Sequence, residues 1–116
     1  MASKYGNKKT ERDGILFDSR KEAERYGELV LLQRAGKVRG LRLQPEFTLQ
    51  EAFTSLAGEK VRAIRYRADF AYQEPRRIAG ALCWVDVVED VKGYKTKEYE
   101  LKRKMMENKG ISIREI

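Results

Sequence analysis

The sequence predicts a domain of the α/β class, more narrowly α+β, with elements in the order helix, three strands, helix, strand. Two stretches, one near each end of the chain, combine helix start signals with apolar residues at helical spacing. Between them, two stretches alternate apolar and polar residues as half-buried strands do, and a third is rich in valine, which favours a strand. A length of 116 residues is that of one domain with one core.

The chain is predicted to begin with a flexible basic arm at residues 1–13, and residues 14–116 are predicted to be the folded domain. The arm has almost no apolar content, so it has too little surface to bury and order itself. Its Lys8 and Lys9 are candidates for contacts with phosphate groups.

The first helix is predicted to run from Ser19 to about Ala35. Ser19 followed by Glu22 has the spacing of a capping box, and Gly36 supplies a stop signal. Glu22 therefore has a sufficient structural role as a helix cap. A role in an active site stays open, because the two roles do not exclude each other.

The first long strand is predicted over residues 38–49. Pro45 removes a ladder donor, so this strand is expected to lie at an edge or to be bulged at that point. Gln44 is a polar group on the sheet, for which simple exposure is the plain structural interpretation.

The next two strands are predicted over residues 61–72 and 78–92, joined by a turn at residues 73–77 as an antiparallel hairpin. Such a hairpin brings Asp69 close to Asp90. Side chains alternate across a strand, so Asp90 and Lys92 share one face while Glu89 lies on the other.

The second helix is predicted at residues 97–108 with Thr96 as its N-cap, and a last strand at residues 111–113. The segment around it, residues 92–109, is the most basic part of the predicted domain. Candidate nucleic-acid contacts in this segment are Lys95, Lys97 and Lys102.

Composition excludes several kinds of catalysis. The chain has no histidine and one cysteine, which rules out histidine-assisted nucleophiles and cysteine-based zinc sites. A net charge of +7 favours a polyanionic partner, nucleic acid first. No apolar run is long enough to span a membrane and no signal peptide is evident, so a cytoplasmic protein is expected.

Four segments together resemble the PD-(D/E)xK nuclease superfamily. An acid follows an alanine at Ala68-Asp69, an acid-x-lysine follows at Asp90-Val91-Lys92, and a helix comes next. The segments containing Glu22 and Gln44 also resemble the helical glutamate and strand glutamine of that superfamily. The chain looks like a small phage-encoded branch, similar in size and order to Holliday-junction resolvases, VRR-type nucleases and very-short-patch repair nucleases.

This resemblance implies a restriction-endonuclease-like core, in which helices flank a central mixed sheet. It also implies a Mg²⁺ or Mn²⁺ ion held by Asp69, Asp90, the Val91 carbonyl and Glu22. Lys92 and Gln44 would complete the catalytic set. Alanine replaces the proline usual before the first aspartate, and Glu89 competes with Asp90 for the position facing the metal.

The function expected from this resemblance is a Mg²⁺-dependent endodeoxyribonuclease acting on branched recombination or replication intermediates such as Holliday junctions. A homodimer is expected, because two sites can then cut two strands. The alternative is a nuclease fold without activity, serving as a nucleic-acid-binding or phage replication accessory protein. A phage-encoded protein would act in the host cytoplasm.

Overall fold

A computed structural model describes residues 9–91 and 95–116 and confirms a mixed α+β architecture. The helices are α1 (Arg20–Arg34) and α2 (Lys97–Asn108). The strands are β1 (Thr10–Arg12), β2 (Ile15–Phe17), β3 (Arg39–Leu43), β4 (Glu46–Gln50), β5 (Phe53–Thr54), β6 (Lys60–Val61), β7 (Ile64–Arg67), β8 (Phe70–Ile78), β9 (Ala81–Asp90) and β10 (Ile113–Glu115).

The central sheet has four strands in the order β10-β9-β8-β3. It is mixed, because β10 runs parallel to β9 while β8 runs antiparallel to both β9 and β3. The two helices cover opposite faces. Leu29 of α1 packs with Phe70 and Val87 on one face. Met106 of α2 packs with Val88 on the other.

Both helices begin at the predicted caps. The Glu22 N–H donates to Ser19 Oγ at 3.1 Å, and the Tyr99 N–H donates to Thr96 Oγ1 at 3.0 Å. These bonds satisfy backbone donors that have no partner in the first turn of a helix. Neither helix of the described ranges has the length and apolar content needed to cross a membrane.

The strand predicted over residues 38–49 is interrupted, and so is the one predicted over 61–72. Gln44 has a φ of 49°, and Pro45 follows it, so β3 ends and β4 begins there. The opposite break lies at Ala68 and Asp69, between β7 and β8. Leu43 faces Phe70 and Glu46 faces Arg67 in the same register, so the two strand pairs form one bent ribbon.

The predicted turn at residues 73–77 is wrong. Strand β8 continues to Ile78, and the turn is formed by Ala79 and Gly80, both with positive φ. Pro75 lies within β8 opposite Trp84. Strand β3 pairs with β8 only as far as Gln73, so Pro75 stands where one side of β8 is open, and proline is tolerated at such an edge.

The N-terminal described segment is a small hairpin. Thr10–Arg12 pairs antiparallel with Ile15–Phe17 across Asp13 and Gly14. The predicted flexible arm at residues 1–13 therefore overlaps an ordered strand at its end. Lys8 lies outside the described residues, and Lys9 is exposed.

Candidate active site

Three carboxylates from three different elements meet at one end of the central sheet. Glu22 lies in the first turn of α1, Asp69 at the bend before β8, and Asp90 at the end of β9. Glu22 is 5% exposed and Asp90 only 2%. Asp69 is one step beyond the pair Phe70 and Glu89, which puts it across from Asp90. The predicted proximity of Asp69 and Asp90 is thus observed.

Glu89 lies on the opposite face from Asp90 and has other partners. Its carboxylate is fully buried and accepts bonds from Arg25 Nε at 2.8 Å and Nη2 at 2.5 Å. The Tyr72 hydroxyl also donates to it. Burial and then the bond to Glu89 raise the pKa of Tyr72 to about 12. The bidentate pair with Arg25 occupies Glu89, so Asp90 is the acid of this strand that faces Asp69.

The electrostatics of Asp69 are strongly perturbed. Burial, and next the charge of Asp90, raise the pKa of Asp69 from its ordinary value of 3.8 to about 8, with a smaller contribution from Glu22. The Val91 N–H donates to Asp69 Oδ2 at 2.6 Å and partly opposes this shift. Like charges brought together in a poorly solvated place cannot all ionise easily. Asp69 therefore releases its proton less readily than an ordinary aspartate does.

Glu22 belongs electrostatically to the same cluster. Burial, then the charges of Asp18 and Asp90, raise its pKa, and a hydrogen bond with Asp69 works against them. The cap prediction also holds in part, because Ser19 is the N-cap and accepts from the Glu22 N–H. The buried Glu22 side chain contacts Asp69, so its structural place at the helix start also brings it to the acids of the sheet.

Two members of this site were missed in the sequence. Asp18 precedes the helix cap and acts electrostatically on Glu22. The Tyr66 hydroxyl donates to Asp90 Oδ2. Burial and then this hydrogen bond raise the pKa of Tyr66. Simple alternation puts Tyr66 on the same face as Tyr72, but the bend at Ala68 and Asp69 shifts the alternation, so Tyr66 instead packs on the α2 side.

The donor set suits a hard divalent cation in its chemistry, because carboxylate oxygens are the ligands that Mg²⁺ and Mn²⁺ prefer. Burial and mutual repulsion, which raise the pKa of Asp69 and Glu22, are also what a cation would relieve. The spacing is not that of an assembled site. Within residues 9–91 and 95–116, no group of three or more His, Cys, Asp or Glu side chains is arranged to hold a metal ion.

The remaining members of the predicted site are Gln44, Val91 and Lys92. Gln44 is exposed, and its backbone N–H donates to the Asp69 carbonyl at 2.9 Å, so its backbone helps to hold the bend. Val91 reaches Asp69 through its N–H. Lys92, the predicted catalytic lysine, lies outside the described residues.

The predicted phosphate-binding lysines near α2 differ in their surroundings. Lys95 pairs with Glu115 and Lys102 with Glu98, each at 3.1 Å. Lys97, the first residue of α2, is exposed. Two of the three lysines therefore already have acidic partners on the protein surface, although exposed pairs of this kind are weak and exchangeable.

Comparison with known proteins assigns the chain to a family. No curated protein and no solved structure shows significant similarity to this chain. A family model described as "Protein of unknown function (DUF1064)" matches residues 2–116. The chain therefore belongs to the DUF1064 family.

Proposed function

We propose that this protein is a metal-dependent endodeoxyribonuclease. The observation that supports it best is the meeting of Glu22, Asp69 and Asp90, from three separate elements, in a poorly solvated place. A stable fold gains nothing from such a cluster, since buried like charges are costly. Strongly shifted carboxylates close together are typical of functional sites.

Asp69 and Asp90 would hold a Mg²⁺ or Mn²⁺ ion together with Glu22 and the Val91 carbonyl. When bound, such an ion polarises a phosphate and makes a bound water more acidic. Tyr66 positions Asp90 through its hydroxyl. The Val91 N–H positions Asp69. Lys92, which follows directly in the sequence, would stabilise negative charge that develops on the phosphate.

The raised pKa of Asp69 has a consequence for metal affinity. A carboxyl group that is protonated below about pH 8 must lose its proton before it binds a cation. Metal affinity and any dependent activity should therefore increase as the pH rises through the pKa of Asp69. Any metal binding that involves Asp69 is therefore expected to be stronger in mildly alkaline solution.

DNA is the proposed substrate, with branched recombination or replication intermediates preferred. The net charge of +7 suits a polyanion. A symmetric homodimer would present two sites to two strands of a junction.

The direct test is Mg²⁺-dependent cleavage of a four-way junction, a linear duplex and a single strand at about pH 8. We expect cleavage by the wild type and its loss in Asp90→Asn. Asp13→Asn is the matched control, because Asp13 lies in an exposed turn and makes the same change of charge. Cleavage that survives in Asp90→Asn would reject the role of this residue. DNA binding without cleavage, in Mg²⁺ and also in Mn²⁺, would favour the alternative of an inactive accessory protein.

A further inference from the structure

A groove with a volume of about 620 Å³ lies against the central sheet. Its lining on the α2 side includes Arg42, Phe47, Asp86 and Val88. Tyr72, Arg76, Val87 and Arg114 of the other face also line it. A smaller hollow of about 160 Å³ shares Arg42 and Asp86 with it and extends to Gly40 and Gln73. Together they follow the β3, β8 and β9 strands outward towards the β8–β9 turn.

The face of β9 on which Asp86 and Val88 line the groove also carries Asp90 of the candidate active site. Trp84, Asp86, Val88 and Asp90 are alternate residues of one strand, so their side chains share a face. From Trp84 to Asp90 the strand spans roughly 20 Å at ~3.3 Å per residue. That distance corresponds to about six nucleotides at the ~3.4 Å rise of a stacked strand.

Arginines without acidic partners are found on this face. Arg42 and Arg77 are exposed, and neither pairs with an acid of the part of the chain that the structure describes. Arg39 donates to Gln73 Oε1 at 2.9 Å, which leaves its charge in place. Gln73 in turn donates to Asp86, the acid on this face, at 3.0 Å. The face therefore carries a surplus of positive charge.

The opposite face of the same hairpin is different. Arg76 and Arg114 of that face also line the groove, but both contact the carboxylate of Glu74, at 3.1 Å and 3.0 Å. These hydrogen-bonded pairs lower the pKa of Glu74 and hold both guanidinium groups. The two faces thus differ in how far their arginines are available to a phosphate.

Aromatic rings alternate with these arginines along the groove face. The guanidinium of Arg39 lies 4.3 Å from the ring centre of Trp84, in a cation–π contact. Phe47 is stacked against Tyr66 with ring centres 6.4 Å apart, and Tyr66 contacts Asp90. Arginines without acidic partners, interleaved with aromatic rings, are a pattern by which proteins hold single-stranded nucleic acid.

We propose that the α2-side face of β3, β8 and β9 binds a single strand of nucleic acid. Arg42 in the groove and Arg39 and Arg77 beside it would contact the phosphates, and bases would stack at Trp84 and Arg39. The choice of ligand rests on the proposed nuclease function and narrows its substrate. The DNA that is cut would have an unpaired strand next to the cut, as in a flap, a fork or an open junction. A continuous duplex is wider than one strand and does not use the stacking positions.

The first test uses the single tryptophan of the chain as a reporter. Wild-type protein in EDTA is titrated at low salt with oligothymidylate of about 12 nucleotides, and with a blunt duplex of equal length. The single strand should quench or shift Trp84 emission in a saturable way and bind more tightly than the duplex. Unchanged emission, or equal affinity for both, would overturn the proposal.

The second test measures anisotropy of the same oligonucleotide carrying a label. Trp84→Ala should weaken binding by about 5- to 100-fold, with Trp84→Phe close to wild type because a ring is retained. Arg42→Gln should weaken binding about 10-fold and reduce the salt slope by about one. Arg34→Gln, an exposed arginine at the end of α1 on the opposite side of the sheet, is the control and should bind as wild type does.

The two proposals fail separately. Because binding is measured without metal, a groove that binds single strands in a protein that never cuts would refute the nuclease function alone. Cleavage of branched DNA that Trp84→Ala and Arg42→Gln leave unchanged would refute the groove alone. Loss of binding in Arg34→Gln equal to that in Arg42→Gln would also overturn the groove, since charge alone would then explain the affinity.

Discussion

Replacing Asp69 by asparagine should stabilise the metal-free protein in alkaline solution. In the folded protein the pKa of Asp69 is about 8, against an ordinary value of 3.8. The folded form therefore keeps its proton between about pH 4 and pH 8 while the unfolded chain releases it. Stability due to this group is complete below about pH 4 and is lost as the pH rises through 8. Asparagine has no such proton to lose, and its side-chain oxygen can still accept from the Val91 N–H.

The size of the stabilisation by Asp69→Asn follows from the shift in the pKa of Asp69. About four pH units correspond to a ceiling of about 5 kcal/mol at pH 8 and above. Asp69 is only partly buried, and its neighbours Glu22 and Asp90 can take up the proton or relax, so about 2 kcal/mol is expected. For a domain of this length that is a rise of about 8 °C in melting temperature.

The assay is thermal unfolding followed by circular dichroism in EDTA at about pH 4 and about pH 8. Asp69→Asn should melt with the wild type in acid and well above it in alkali. Asp13→Asn, an exposed turn residue, should match the wild type in both. If the stability of Asp69→Asn relative to wild type is no greater at pH 8 than at pH 4, then burial and the charge of Asp90 do not raise the pKa of Asp69 in the folded protein.

Three further predictions concern the rest of the molecule. Arg25→Met should lower the free energy of unfolding, measured in urea, by about 3 kcal/mol, because it leaves the buried Glu89 charge without its bidentate partner. Arg34→Met is the control and should change it little, and equal losses in the two variants would contradict this role of Arg25. Ala79→Asn should raise the free energy of unfolding by about 1 kcal/mol, since Ala79 has a φ of 51° before Gly80 and asparagine tolerates that conformation better. A lower melting temperature in this variant would show that the turn is not strained by alanine. Mg²⁺ at about 100 times its dissociation constant should stabilise the wild type by about 2.7 kcal/mol at pH 8 but not Asp90→Asn, and an equal shift in both would place the ion elsewhere.

Several local features could be predicted from the sequence because they depend on neighbouring residues. The caps at Ser19 and Thr96 follow from short hydrogen bonds within one turn. The alternation that separates Asp90 from Glu89 follows from the pleat of one strand. Both are visible in a window of a few residues.

The errors arise where distant segments compete. Pro75 and the polar residues around it predict a turn, but the β8–β9 ladder continues past them, since the open edge of β8 tolerates proline. Gln44 and Asp69 lie at the two halves of one bend, and this bend moves Tyr66 to the face of Asp90. No signal in the residues next to Tyr66 predicts this change of face, because it depends on the pairing of β4 with β7, some twenty residues apart in sequence.

By itself the sequence determined which residues can do chemistry: acids without histidine, a basic surplus, and elements in an order that brings Asp69 and Asp90 to neighbouring strands. Only the tertiary structure decided which acids share an environment, that Arg25 occupies Glu89, that Glu22 lies with Asp69, and that Arg42 and Trp84 lie on one face of the sheet. The reason is that burial, charge repulsion and pairing act between side chains through space, and the distances between them are fixed only when the sheet and helices pack.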